Sequence, residues 1–353
     1  MSEAAKTRDQ PPGSPEATQR RGRVEQRTVA PAEAGWRLDR WIRTHFPGLG
    51  FGEMQKLLRT GQFRVDGKRA EGSLRLLAGQ TVRVPPLPET AREAPAAEET
   101  KKRPLTPADR AFVRGLLIYE DDRILAFNKP PGLAVQGGPK TTRHLDGLLE
   151  AFAERGEKPR LVHRLDRDTS GVVVVARTAE VARELGFAFQ QRRIRKLYWA
   201  ILVKGPERNE GEIELPLEKR GAKGREKVEP VEEEEEGRWA KTAFKVLARA
   251  GKVAAWVALL PYTGRTHQLR AHCAAIGAPI LGDGKYGGER ARLEGAPDGL
   301  MLHAREIEIP RPKGRPLRIT AEPPEAFRAA LAWLGLERPE LPGARLDDWP
   351  EAR

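Results

Sequence analysis

The chain has a single cysteine, Cys273, so it can form no internal disulfide and build no thiolate metal cluster. No apolar run approaches the roughly 20 residues that a membrane-spanning helix needs. The first residues hold no apolar secretory core, so a cytoplasmic setting is expected. Glycine-rich dinucleotide loops and Walker-type phosphate loops are missing too, and no cofactor is expected. Heptads are absent, which leaves no reason to expect a coiled-coil dimer; the expectation is a monomer. Aromatic residues make up 6% of the chain and tyrosines number four, so a tyrosine inside a motif carries information.

Positive charge is what the chain has in excess. Lys and Arg number 63 against 50 Asp and Glu, a net charge of +13. An excess of that size points first to a polyanionic partner, usually nucleic acid. At 353 residues the chain can hold one large and one small domain. Residues 1–34 are polar, with Pro11-Pro12-Gly13 and scattered arginines, and read as a disordered basic arm. Residues 35–86 read as a small α/β unit. Leu38, Trp41, Ile42 and Phe46 make one helix stripe ended by Pro47; Met54, Leu57 and Leu58 make a second, stopped at Gly61. Asp66-Gly67 is a hairpin signal, and Thr81–Val84 a last short strand. Residues 31–86 hold ten Lys/Arg against five Asp/Glu, which gives the unit a basic surface. Residues 87–107 are rich in Pro, Ala and Glu and read as a linker. A large domain spans 108–335, and the Pro-rich tail 336–353 is expected to fray.

The large domain is organised around Leu161–Gly171 and the run Val172–Val175 that follows. β-Branched residues prefer extended backbone, and an all-apolar run has no exposed face, so this strand is expected to be covered on both sides. Asp168-Thr169-Ser170-Gly171 is turn chemistry. Asp166 is thereby presented on a loop against the middle of a sheet. Arg164 and Arg167 flank it and are expected to favour its ionised form. Taken alone, such a segment is more often a solvated surface turn with a local ion pair than a catalytic site. Further along, Thr178 is a helix N-cap, and Val181, Leu185 and Phe189 mark the face that packs on the sheet. That helix ends in Arg192, Arg193, Arg195 and Lys196, which complement its dipole or hold phosphates. Residues 206–240 read as an irregular charged insertion whose acidic run, Glu232–Glu236, faces solvent. Thr266–Ala275 reads as a helix. Its His267 and His272 are spaced five apart, off a common face and without nearby acid or thiol ligands, so no metal is expected.

His163–Gly171 resembles the H-R-L-D-x-x-T-S-G signature of the RluA-type pseudouridine synthases. Further segments are similar to the same family: Glu120–Gly132 to E-D-x-x-I-x-x-x-N-K-P-x-G, Lys196–Ala200 to K-x-Y-x-A, Thr263–His272 to T-G-R-x-H-Q-[IL]-R-x-H, Pro279–Gly287 to P-I-x-G-D-x-x-Y-G, and Leu302–Ala304 to L-H-A. The resemblance implies an α+β fold with a mixed, largely antiparallel central sheet. It implies Asp166 as the catalytic carboxylate, Arg270 as its basic partner and Tyr198 against the target base, its hydroxyl assisting removal of the C5 proton. Lys129 reads as structural or as a phosphate contact. Residues 35–86 are similar to the S4 RNA-binding domain, with Lys56, Arg59, Arg64, Lys68 and Arg69 as candidate phosphate contacts. They depart from its pattern at Gly50-Phe51 and Gly79-Gln80. Arg164, Arg167, Arg192, Arg193, Lys196 and Arg265 are the candidate RNA contacts of the large domain.

The reaction so implied breaks the bond between C1′ and N1, turns the base and rejoins it through C5. One ionised carboxylate suffices, as nucleophile at C1′ or as base toward a sugar proton. The S4-like unit leans toward members acting on large-subunit ribosomal RNA, closest to the C type, with the D type as rival. The competing readings are a synthase acting on tRNA, a catalytically silent RNA-binding or ribosome-assembly factor, and a nucleoside hydrolase.

Overall fold

In the computed structural model, Ser170–Ala176 is a strand whose every residue is buried. Its alternate side chains feed two cores. Val173 and Val175 pack with Leu125, Phe127, Leu145 and Leu149 on one face. Val172, Val174 and Ala176 pack with Ile124, Leu185 and Ile307 on the other. A strand covered on both faces needs an unbroken apolar run, which accounts for the consecutive valines. Its neighbours are Ile124–Lys129, antiparallel, and Leu302–Ile309, parallel.

The described residues are 23–92 and 104–350, apart from 139–140, 142, 155, 221–226, 232–236, 312–313, 338–340 and 342. They fall into two units, divided between Pro104 and Leu105. The larger unit is built on a sheet of ten strands. Across it the order is Glu210–Glu214, Lys241–Ala250, Ala254–Pro261, Arg195–Val203, Leu302–Ile309, Ser170–Ala176, Ile124–Lys129 and Leu117–Glu120. Leu317–Thr320 adds to Leu302–Ile309, and Arg160–Leu161 to the valine strand. All pairings are antiparallel except the junction of the valine strand with Leu302–Ile309. This is the mixed, largely antiparallel sheet expected. The helix Ala179–Gln190 starts at Thr178, whose Oγ1 accepts the Val181 N–H at 3.3 Å, and it buries Val181 and Leu185. No helix among the described residues is long and apolar enough to cross a membrane.

Several expectations need correction here. The region 206–240 is not irregular throughout: Glu210–Glu214 is an edge strand, and Leu217–Arg220 pairs with Lys227–Pro230. The run Glu232–Glu236 lies outside the described residues. The described residues of the tail are not frayed. Leu346 and Trp349 are buried against Leu197, Ala258 and Leu260. Arg195 is no phosphate ligand; it is buried, ion-paired with Glu308 at 3.2 Å, and donates to the carbonyls of Leu346, Trp349 and Pro350 at 3.0–3.1 Å. A buried guanidinium needs acceptors for its several N–H groups, and the returning chain supplies them.

The smaller unit carries a sheet in the order Glu25–Thr28, Thr81–Val84, Arg64–Val65, Lys68–Arg69. The helices Leu38–His45 and Phe51–Arg59 pack Leu38, Trp41, Ile42, Met54 and Leu58 into one core with Phe63 and Val82. Asp66 and Gly67 both take positive φ, 49° and 75°, as a two-residue hairpin loop of the I′ type demands. The unit is longer than composition indicated. Glu25–Thr28, within the expected disordered arm, pairs with Thr81–Val84. Leu87 and Ala91, within the expected linker, are buried, and Arg92 bonds Glu25. Residues 1–22 and 93–103 lie outside the described residues.

At the parallel junction His303 pairs with Ser170 and Ala304 with Gly171. Gly171 has φ +113°, and a Cβ there would come within 2.2 Å of the Ala304 carbonyl oxygen. Gly171→Ala should therefore destabilise by about 3 kcal/mol or more, measured by urea unfolding or seen as loss of soluble protein. Beside it His303 is fully buried, Nδ1 on the Ser170 hydroxyl at 2.9 Å and Nε2 on the Ala321 carbonyl at 2.9 Å. Burial pushes its pKa down to about 4. The unfolded chain takes up a proton here below about pH 6.5, and the folded one resists it. Stability from this group is complete above that pH and declines as pH falls toward 4. Urea midpoints measured across that window should drop for the wild type and drop less for His303→Gln.

Candidate active site

The residues singled out around Asp166 converge on one cavity of about 1090 Å³. Three pieces of chain wall it: the loop Val162–Asp166, the strand bearing Lys196 and Tyr198, and the loop and helix start Leu260–Arg270.

The first piece is held by its own motif. His163 accepts the Val174 N–H at Nε2, 2.9 Å away, and its ring packs 4.9 Å from that of Phe189. Burial and the nearby charge of Lys196 push its pKa down to about 3, so it stays the neutral acceptor that this bond requires. Leu165 is buried in the core, and the Asp166 carbonyl accepts the Thr169 N–H at 3.2 Å. Asp166 is left with a side chain 21% exposed. Lys129 secures the turn from behind. Its ammonium is fully buried and donates to the carbonyls of Pro130, Leu133 and Arg167, each at 2.9 Å. Burial pushes its pKa to about 8. Lys129 is thus a structural clamp, and no phosphate can reach it.

The third piece is held by Gln268. Its Oε1 accepts from the Thr263 hydroxyl (2.7 Å) and the Arg265 N–H (3.0 Å), while Nε2 donates to the Lys241 carbonyl and Thr242 Oγ1, both at 3.0 Å. The helix Gln268–Ala275 begins one residue after His267, which takes a left-handed conformation at φ 52°. Arg270 projects from its first turn.

The electrostatics of Asp166 differ from the expectation. Neither Arg164 nor Arg167 pairs with it: Arg164 is exposed at the cavity wall, and Arg167 Nε donates to the Gly132 carbonyl at 3.1 Å. The nearest cationic group is Arg270, Nη1 to Oδ2 at 3.9 Å, with His267 Nε2 3.7 Å from Oδ1. Arg270 is committed first to Asp283, at 2.8 and 2.7 Å in a two-pronged pair whose carboxylate is wholly buried. Asp283 also accepts the Tyr286 N–H at 3.1 Å. Arg270 therefore faces Asp166 as an arm already anchored elsewhere. The Asp283 motif was legible in the sequence, but not its partner.

Tyr198 lines the cavity. Burial and the negative charge of Asp166 push its pKa up, so the phenol keeps its proton. In that state its hydroxyl is a hydrogen-bond donor at the cavity wall. Two residues earlier, Lys196 lines the same cavity; burial pushes its pKa down to about 8, and it has no ion pair among the described residues. Thr169 Oγ1 is buried at the cavity wall without a hydrogen-bond partner among the described residues.

Of the other cations, Arg192 and Arg265 line the cavity. Arg193 does not, and lies 5.8 Å from the Phe187 ring. Trp239 was missed in the charged insertion, where it was the one aromatic signal. Its ring lies 4.8 Å from the Arg192 guanidinium, and its carbonyl accepts from Arg265 at 3.1 Å. Burial and the charges of Arg238 and Arg192 lower the Arg265 pKa. His272 turns away from His267, bonding Thr242 Oγ1 at 3.0 Å and the Leu215 carbonyl at 3.1 Å. In the smaller unit, Lys56, Arg59 and Arg69 line a separate hollow of about 780 Å³ with Arg37. Arg69 bonds the Arg59 carbonyl, Arg64 donates to the Gly61 carbonyl at 3.2 Å, and Lys68 is exposed.

Removing one member of a buried ion pair strands the other charge. Asp283→Asn should cost about 3–5 kcal/mol and release Arg270 from its anchor. A thermal melt, alongside His303→Gln as an unrelated control, measures the loss.

The profile of the RNA pseudouridylate synthase family matches residues 123–275. Ribosomal large subunit pseudouridine synthase C of Rickettsia bellii is 34% identical over 297 residues, 82% of this chain and 95% of the relative. The protein of the same name from Escherichia coli K12 is 34% identical over 305 residues, 85% of this chain and 93% of the relative. The solved structure of human RNA pseudouridylate synthase domain containing 4 superposes with a TM-score of 0.55 at 28% identity, covering 66% of this chain and 99% of the other. With its sheet, its cavity and likeness over most of its length, the chain belongs to the RNA pseudouridylate synthase family, enzymes that isomerise uridine in RNA.

Proposed function

We propose that this chain converts uridines of large-subunit ribosomal RNA to pseudouridine, as a monomer in the cytoplasm, with Asp166 as the catalytic carboxylate. The observation that carries this reading is Asp166 itself: a partly exposed carboxylate in a large cavity, with Arg270 Nη1 at 3.9 Å and Tyr198 on the wall. The ribosomal target is supported by what the relatives are named for.

The target nucleotide turns out of its RNA into the cavity, at a cost of a few kcal/mol. The arginines at the wall, exposed Arg164 and Arg192 and half-buried Arg265, meet its flanking phosphates and offset that cost; Lys196 meets polar atoms deeper in. Asp166 acts on the sugar, as nucleophile at C1′ or as base toward a sugar proton, and either role needs it ionised. Arg270 keeps it so. The bond to N1 breaks as C1′ bonds the carboxylate or as the sugar yields a proton to it; the base turns against Tyr198, C5 bonds C1′ as that ester bond breaks or that proton returns, and N1 gains a proton while C5 loses one. Tyr198, a neutral phenol, offers the base a ring face and an O–H donor. The smaller unit grips RNA through the hollow lined by Lys56, Arg59 and Arg69, in the manner of an S4 domain.

Purified protein incubated with transcribed large-subunit ribosomal RNA, and separately with tRNA, should leave pseudouridine at discrete ribosomal positions on chemical mapping. Asp166→Asn should lower the rate about 10³-fold or more while RNA affinity changes by a few-fold at most. Modified tRNA with untouched ribosomal RNA would overturn the substrate class, and release of free uracil would overturn the isomerase reading. If roughly six to ten phosphates are held, affinity should fall about 10³- to 10⁵-fold between roughly 50 and 200 mM salt.

A further inference from the structure

His267 is the one strained residue of the cavity wall that the reading above leaves without work. Its φ of 52° is left-handed, a conformation that costs a non-glycine residue about 1–2 kcal/mol. Strain of this kind persists where surrounding contacts over-determine it, and it gathers at functional sites. Here the contacts are Tyr286 on one side of the imidazole and Asp166 on the other. His267 Nδ1 lies 2.7 Å from the Tyr286 oxygen, and Nε2 lies 3.7 Å from Asp166 Oδ1.

The hydrogens can be placed from this geometry. The Tyr286 oxygen also accepts the Val228 N–H at 3.2 Å. Its own hydroxyl hydrogen then has a single acceptor among its bonded partners, Nδ1 of His267. Burial raises the Tyr286 pKa, so the hydroxyl keeps that hydrogen. With Nδ1 accepting, a neutral imidazole carries its hydrogen on Nε2, the atom that faces Asp166. Burial lowers the His267 pKa against the opposing pull of Asp166, with Arg270 and Lys285 adding to the fall, which keeps the ring neutral.

We infer that His267, locked in its Nε2–H tautomer by Tyr286, is a positioning residue that directs an N–H at Asp166 Oδ1 while Arg270 directs one at Oδ2. This rests on Asp166 being the catalytic carboxylate. Both donors stand beyond direct bonding distance, at 3.7 and 3.9 Å, in the protein without RNA. Gaps of this size tighten in a substrate complex. Two donors, one per oxygen, fix the plane of the carboxylate and leave its remaining lone pairs for the sugar. Arg270 alone would set one oxygen and leave the group free to rotate about the other.

The test measures single-turnover rate and RNA affinity for wild type, His267→Ala, His267→Gln, Tyr286→Phe and Asp166→Asn, with melting temperatures alongside. A glutamine amide can present an N–H near the place of Nε2. His267→Ala should slow the chemical step about 10- to 100-fold with RNA affinity unchanged. His267→Gln should recover most of that loss. Tyr286→Phe, which frees the tautomer and leaves the ring, should fall between them. A His267→Ala enzyme at the wild-type rate would overturn the inference. So would equal loss in the Ala and Gln variants, in step with melting temperature, because that is the mark of a structural role. If His267→Ala does not fold, the order of Gln above Tyr286→Phe decides alone, and its reversal counts against the inference. Failure of the underlying reading is separate: it would appear as an active Asp166→Asn.

Discussion

A buried ammonium holds the Asp166 turn in register with the sheet. Lys129 has no exposed surface and is bonded to three carbonyls, two on its own loop and one on the turn that follows Asp166. A charge so placed is tolerable only while every donor is met, so the two loops cannot part without stranding it. The clamp works together with the parallel junction next to it, where Gly171 lets two backbones meet closer than any side chain permits. Asp166 stands one residue before the clamped Arg167 and five before Gly171, which is how a loop residue acquires the rigidity of a strand.

The carboxylate is then set among donors that are themselves held. Arg270 is pinned by Asp283, and Gln268 ties the loop before the helix to the neighbouring strand. Neither donates to Asp166 at bonding distance. The protein thus keeps its charge partner near but not saturating. A carboxylate with all its lone pairs taken would be stable and inert; one with none would be left to water. The intermediate arrangement is what the role proposed for Asp166 requires.

Much of this was legible in the residues. The valine run declared a doubly covered strand, Thr178 a helix start, Asp66-Gly67 a hairpin, and the motif residues Asp166, Tyr198, Lys196, Arg265 and Arg270 meet in one cavity. What stayed hidden has a common cause. Glu25–Thr28 is a strand through backbone pairing, with a sequence too polar to advertise it. The Arg270–Asp283 pair and the Lys129 clamp depend on residues that only the folded chain brings together. Arg167 sits beside Asp166 in sequence yet donates to the Gly132 carbonyl, and Arg164 lines the cavity without pairing with the carboxylate, because neighbours along a turn rarely share a direction. Trp239 was lost among charges, and the tail among prolines, although Trp349 is buried.

That tail carries a further consequence. Pro350 lines the same cavity as Asp166, and the carbonyls of Leu346, Trp349 and Pro350 complete the hydrogen bonding of Arg195. Residues far along the sequence thus complete one side of the cleft and the hydrogen bonding of Arg195 together. Arg195 opens the strand that carries Lys196 and Tyr198, so a change at Trp349 or Pro350 reaches that strand without touching either residue.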